Sequence, residues 1–100
     1  KCLDIAHGAT DNGNPIQVWD CFPGEPDQRF RLMAGTQGQI VWEAHPEKCL
    51  QVSDDEKTIV LNNCAAGNDK QLFVVPIGGK GQIKWHTDPS KCFDVNEGLT

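Results

Sequence analysis

Three side chains near the start of the sequence combine in a way that suits non-covalent recognition. Trp19 offers a flat apolar ring, Gln17 a neutral amide and Asp4 an ionisable acceptor. Side chains alternate between the two faces of a strand. In the run 16–21 (IQVWDC), Ile16 and Val18 therefore share one face while Gln17 and Trp19 share the other. In the run 1–5 (KCLDI), Leu3 and Ile5 likewise oppose Asp4. An indole left in solvent beside a carboxylate and an amide is a costly surface unless a ligand covers it. The complementary ligand has apolar C–H faces and a fan of hydroxyls, which is the chemistry of a sugar. The ring covers the former, and the acid and amides hydrogen-bond the latter with directional selectivity. The competing reading has Trp19 folding back beneath the loop 20–26.

Other chemistries find little support. His7, His45 and His86 are scattered, and Ser53 and Ser90 lie in turn-like stretches without a base nearby in sequence, so no nucleophile–base pattern emerges. The acidic stretch 54–56 (DDE) lacks the ligand spacing of a calcium loop and reads as a solvated turn. The stretch 78–81 (GGKG) reads as a hairpin turn, being too short for a phosphate loop. No Cys-x-x-Cys or close Cys/His pairing points to zinc, and no metal or other cofactor is expected. Nine Lys and Arg against fourteen Asp and Glu give a net charge of −5, which argues against nucleic acid as a partner. Apolar runs such as 72–76 are far too short to insert in a bilayer.

The elements that must position these side chains come in repeats. Residues 35–52 (GTQGQIVWEAHPEKCLQV) recur as 78–95 (GGKGQIKWHTDPSKCFDV), an offset of 43 from Gly35 to Gly78. The same offset links 16–21 to 59–64 (IVLNNC), and Gln28-Arg29-Phe30 to Gln71-Leu72-Phe73. One domain of three units is implied, with unit one at 1–34, unit two at 35–77 and unit three, cut short, at 78–100. Each full unit holds four short β-like runs set off by Gly, Pro, Asn and Asp. In unit two these are 39–42, 49–52, 58–63 and 71–75. The whole chain carries nine such runs where three full units need twelve, so a missing segment or a partner chain is expected to supply the rest.

The five cysteines fit the same frame. Pairing within units predicts Cys2–Cys21 and Cys49–Cys64, leaving Cys92 with a partner outside the sequence. Each bridge would contribute roughly 3 kcal/mol by restricting the unfolded chain. Such pairing requires an oxidising, secretory compartment; the alternative is five buried thiols in a reducing one. Trp42 and Trp85 recur at the repeat offset and read as core, whereas Trp19 is replaced by Asn62 in unit two.

Taken in order, the blocks 1–5 (KCLDI), 12–21 (NGNPIQVWDC) and 27–30 (DQRF) resemble the repeat of ricin-type β-trefoil lectins, also called the QxW repeat. The resemblance runs over essentially the whole chain. The QxW motif stands here as Gln28-x-Phe30 and Gln71-x-Phe73, with Phe for Trp. It implies an all-β fold, a three-fold β-trefoil barrel of twelve strands, incomplete in this chain, with one potential sugar site per unit. Carried over residue by residue, Asp4 accepts hydrogen bonds from adjacent ring hydroxyls and Trp19 stacks on the apolar face of galactose. Gln17 contacts a hydroxyl at the pocket edge. Asp27 stands where the family usually has Asn, and Gln28 serves more to orient Asp4 than to touch sugar. Unit two has Gln51, Val60, Asn62 and Lys70 at these places and reads as a lost site, while unit three keeps Asp94.

These readings point to a secreted, non-catalytic domain that binds galactose-containing glycans or glycoproteins. Two rivals stand beside it. One is a polysaccharide-binding accessory module of a secreted glycoside hydrolase, with xylan as a ligand. The other is a trefoil acting through its loops as a protease inhibitor or structural partner.

Overall fold

Short β-branched and aromatic runs, separated by turn residues, cannot form long ladders, and they pair instead as hairpins. The computed structural model describes residues 1–32, 37–78 and 80–94. Among these, eight strands follow one another: β1 Cys2–Ile5, β2 Ile16–Trp19, β3 Phe30–Arg31, β4 Val41–Trp42, β5 Lys48–Val52, β6 Ile59–Asn63, β7 Phe73–Val74 and β8 Lys84–Trp85. All pairing is antiparallel. β1 pairs with β2, β3 to β6 form one four-stranded sheet in sequence order, and β7 pairs with β8.

The repeat is visible in the register. Phe30 faces Trp42 across β3–β4, and Phe73 faces Trp85 across β7–β8. Cys2 faces Trp19 in β1–β2, and Cys49 faces Asn62 in β5–β6. Each tryptophan of the recurring pair has its ring sunk in the core and its one donor satisfied. Trp42, 1% exposed, donates from Nε1 to the carbonyl of Pro26 at 2.9 Å, and Trp85 donates to the carbonyl of Asp69 at 2.9 Å. A buried indole without such a partner would lose about a hydrogen bond's worth of stability.

The apolar parity of the strands sets the core. Ile40, Leu50, Val52, Phe73 and Trp85 form one buried cluster, with Leu3, Ile16, Phe30 and Phe93 packed on it. Ile5, Trp42 and Leu61 form a second, and Ile16 and Phe30 join the two. Leu50 and Leu61 are wholly buried and directly opposed across β5–β6. Burial of each contributes about 2 kcal/mol.

Two differences from the sequence reading concern strand number and length. Nine runs were expected, but the described residues hold eight strands: Cys92 joins Lys84 through an isolated bridge, and Val95 lies outside the described residues. The run 71–75 shrinks to β7 because Asp69–Gln71 forms a 3₁₀ turn capped by Asn68, whose side chain accepts from the Lys70 N–H. The equivalent turn Pro26–Gln28 precedes β3, with Glu25 as the cap and Pro26 pre-set for its first position.

Beside the core lies an apolar cleft of about 630 Å³, walled by Leu3, Ile16, Val18, Val52, Phe73 and Phe93 and edged by Cys92. Disulfides join Cys2 to Cys21 and Cys49 to Cys64, and Cys92 has no disulfide partner among the described residues. The turn at 53–58 closes on itself through Ser53–Thr58 and Glu56–Ser53 backbone hydrogen bonds, as a solvated loop should.

Candidate functional site

The β1–β2 hairpin puts Asp4 opposite Gln17 and, one pair along the same face, Cys2 opposite Trp19. Its connection is pinned rather than free. The Asn14 side-chain amide donates to the carbonyls of Ala6 and Ala9, both at 2.9 Å, and Gly13 and Asn14 exchange hydrogen bonds with Leu61 of β6. Gly13 takes φ 90°, a conformation that side chains resist. The hairpin face is thus fixed relative to the core before any ligand arrives.

On that face Trp19 is 54% exposed, so the ring does not fold beneath the loop that follows it. Asp4 is only 6% exposed, yet both its oxygens are served. Oδ1 accepts from Gln17 Nε2 at 3.3 Å and Oδ2 from Gln28 Nε2 at 2.9 Å. Burying a carboxylate is costly unless its lone pairs are met, and two amides do this here. Each oxygen of a carboxylate offers further acceptor capacity.

Gln28 is the brace of the arrangement. Its Nε2 also donates to the carbonyl of Asp20 at 2.7 Å, and its Oε1 accepts from the backbone N–H of Phe22 at 2.9 Å. With those valences used, Gln28 holds Asp4 and the loop together rather than projecting toward a ligand. Asp27, next to it, is half-buried and packs against Gly8. Gly8 has φ 63°, and a Cβ there would sit 3.0 Å from both Asp27 carboxylate oxygens, so a side chain would be strained and would press on Asp27. Burial, with the negative charges of Glu25 and Asp4 nearby, pushes the Asp27 carboxyl above its ordinary value, opposed by His45. Asp20 at the strand end pairs with the Lys1 ammonium, which holds its carboxyl below the usual range.

In the second hairpin the same scaffold carries different cargo. Gln71, fully buried, donates from Nε2 to Gln51 Oε1 at 3.0 Å and to the Asn63 carbonyl at 2.8 Å. Its Oε1 accepts from the Ala65 N–H at 2.9 Å and from Gln39 Nε2 at 3.0 Å. Gln51, Val60 and Asn62 stand where Asp4, Gln17 and Trp19 stand in the first hairpin, so neither a carboxylate nor an indole is presented. Lys70, in the place of Asp27, reaches Asp54 at 3.4 Å. Asp94 is exposed at the rim of the apolar cleft, away from any similar set among the described residues.

One aromatic of this region escaped the sequence reading. Phe22, in the loop after the Cys2–Cys21 bridge, is as exposed as Trp19. Its signal was the comparison between units, since Ala65 stands at the corresponding place.

Residues 1–100 match the family model described as Ricin-type beta-trefoil lectin domain, which identifies the all-β fold as a β-trefoil. No curated protein and no solved structure matches the chain.

Proposed function

The chain belongs to the ricin-type β-trefoil lectin family, and from that premise we propose that it binds galactose-type sugars on glycans through the β1–β2 hairpin, with no catalysis of its own. The observation that carries this reading is the pairing of an exposed Trp19 with a buried, doubly braced Asp4 on one hairpin face. Asp4 accepts from two neighbouring hydroxyls of the sugar, and the indole of Trp19 covers the apolar face of the ring. The Gln17 amide meets a further hydroxyl at the edge, and Asp27 borders the opposite side. Because Gln17 and Gln28 hold Asp4 in place beforehand, little side-chain freedom is lost on binding.

A single shallow site of this kind has a dissociation constant on the order of 1 mM, about −4 kcal/mol, and useful strength comes from several sites engaging one glycan-bearing surface. Two disulfides fit an oxidising compartment, and we place the protein outside the cell. The test is a glycan array read with free galactose as competitor, on the native protein and on Trp19→Ala. Galactose-competed signal that disappears in the variant supports the reading. Signal that survives in the variant, or no signal on any galactose-bearing glycan, overturns it.

A further inference from the structure

We propose that the site extends into a second sugar position, on Phe22 in the cleft beside the Cys2–Cys21 bridge, so that the ligand is an oligosaccharide rather than one sugar; this rests on the Trp19 reading above. Phe22 is 54% exposed and forms one wall of a cleft of about 340 Å³, whose other walls include Pro23, Glu25, Gln28, Arg29 and the disulfide. That volume is within the range of small-molecule sites.

Two residues of the cleft wall link it to the first sugar position. Cys2, in its wall, is the cross-strand neighbour of Trp19. Gln28, also in its wall, bonds Asp4 with its Nε2 and the Phe22 N–H with its Oε1. One side chain therefore sets both the carboxylate of the first position and the loop that displays the second ring. The loop is rigid for the same reason: Glu25 N–H donates to the Phe22 carbonyl at 3.1 Å, Gln28 N–H to the Glu25 carbonyl at 3.1 Å, and Cys21 is tied to β1.

The chemistry of the walls suits a saccharide better than a purely apolar ligand. Phe22 and Pro23 offer a C–H-matching surface, while the Arg29 guanidinium makes no hydrogen bond or ion pair with another described residue and leaves its donors facing solvent. Unit two supplies the contrast. Ala65, Ala66 and Leu72 replace Phe22, Pro23 and Arg29 in the same unit where Gln51 and Asn62 replace Asp4 and Trp19. Both positions are furnished in one unit and stripped in the other, as expected if they serve one ligand.

The experiment titrates the disulfide-intact protein, Phe22→Ala and Trp19→Ala with galactose, with lactose and a panel of galactose-terminated oligosaccharides, and with xylose and xylo-oligosaccharides. At least one oligosaccharide should bind roughly tenfold more tightly than its own terminal sugar. Phe22→Ala should bring that oligosaccharide down to the single-sugar level while single-sugar affinity and the near-ultraviolet circular dichroism of the fold stay as they were. Equal affinity for single sugars and all oligosaccharides, or an oligosaccharide advantage untouched by Phe22→Ala, overturns the second position alone. Undiminished binding by Trp19→Ala, or no binding of any sugar, overturns the first position and the second with it.

Discussion

The Nε2 of Gln28 reaches Oδ2 of Asp4 at 2.9 Å, joining the 3₁₀ turn at 26–28 to the first strand. The bond is repeated in kind where Gln71 meets Gln51 at 3.0 Å, and in both units the glutamine also ties a backbone carbonyl at the end of the preceding strand run and a backbone N–H of the loop after it. Replacing such a residue by leucine strands several polar groups at once, at about 1–3 kcal/mol for each that water cannot reach. Gln71→Leu, at a site with no solvent access, should cost about 3–5 kcal/mol in urea unfolding. Gln28→Leu, at a wetter site, should cost about 1–3 kcal/mol and remove sugar binding as well. A Gln71→Leu protein with unchanged midpoint would show that the brace is ornamental.

Trp19→Ala removes a ring that contributes little to the core, since more than half of it is in solvent. Its stability should shift by no more than about 0.5 kcal/mol, while galactose binding falls below detection. Trp42→Ala, at a fully buried ring, should instead cost about 3–5 kcal/mol. Calorimetric melting of the two variants side by side checks both.

The raised Asp27 carboxyl gives a pH dependence whose sign follows from linkage. Because the folded protein holds this proton more tightly than the unfolded chain, the associated stability is complete below the ordinary carboxylate pKa and is lost as pH rises through the raised value. Asp27→Asn should therefore melt higher than the parent at pH 7, with the gap closing below about pH 4. Asp20, Asp55 and Asp88 work in the opposite direction, their carboxyls lowered by Lys1, Ser53 and Ser90 respectively. Only the difference between parent and variant isolates Asp27. The amide is also a donor, as the protonated acid is, so the variant should bind galactose more tightly at pH 7 and the parent should approach it as pH falls.

The two disulfides should separate stability from recognition. Removing Cys49–Cys64 by a double alanine substitution should cost about 3 kcal/mol, the loop-closure value for cysteines 15 residues apart, and leave galactose binding intact. Removing Cys2–Cys21 in the same way should cost a similar amount and also weaken binding, because Trp19 lies opposite Cys2. Urea melts paired with glycan-array signal read out both.

Much of this was legible in the sequence because alternation and repetition are local. The parity of 16–19 divides Ile16 and Val18 from Gln17 and Trp19, and the β1–β2 register makes the same division. The recurrence of Trp42 as Trp85 marked two buried rings. What escaped depends on contacts between segments far apart in the chain. Gln71 is marked in the sequence as the repeat of Gln28, but its complete burial is not, because that depends on partners at positions 39, 51, 63 and 65. The close approach of Gly8 to the Asp27 carboxylate, at a positive φ that disfavours a side chain, likewise joins segments far apart in the chain. Phe22 carried no pattern of its own until set against Ala65.

The bracket built by Gln28 and Gln71 grips whatever stands at the facing position, a carboxylate in one unit and an amide in the other. A duplicated module of this kind can therefore inherit its architecture and change its ligand separately. Exchanging Gln51 and Asn62 alters what the second hairpin displays while the amide that seats it is retained, so diversification needs only a few substitutions at the periphery.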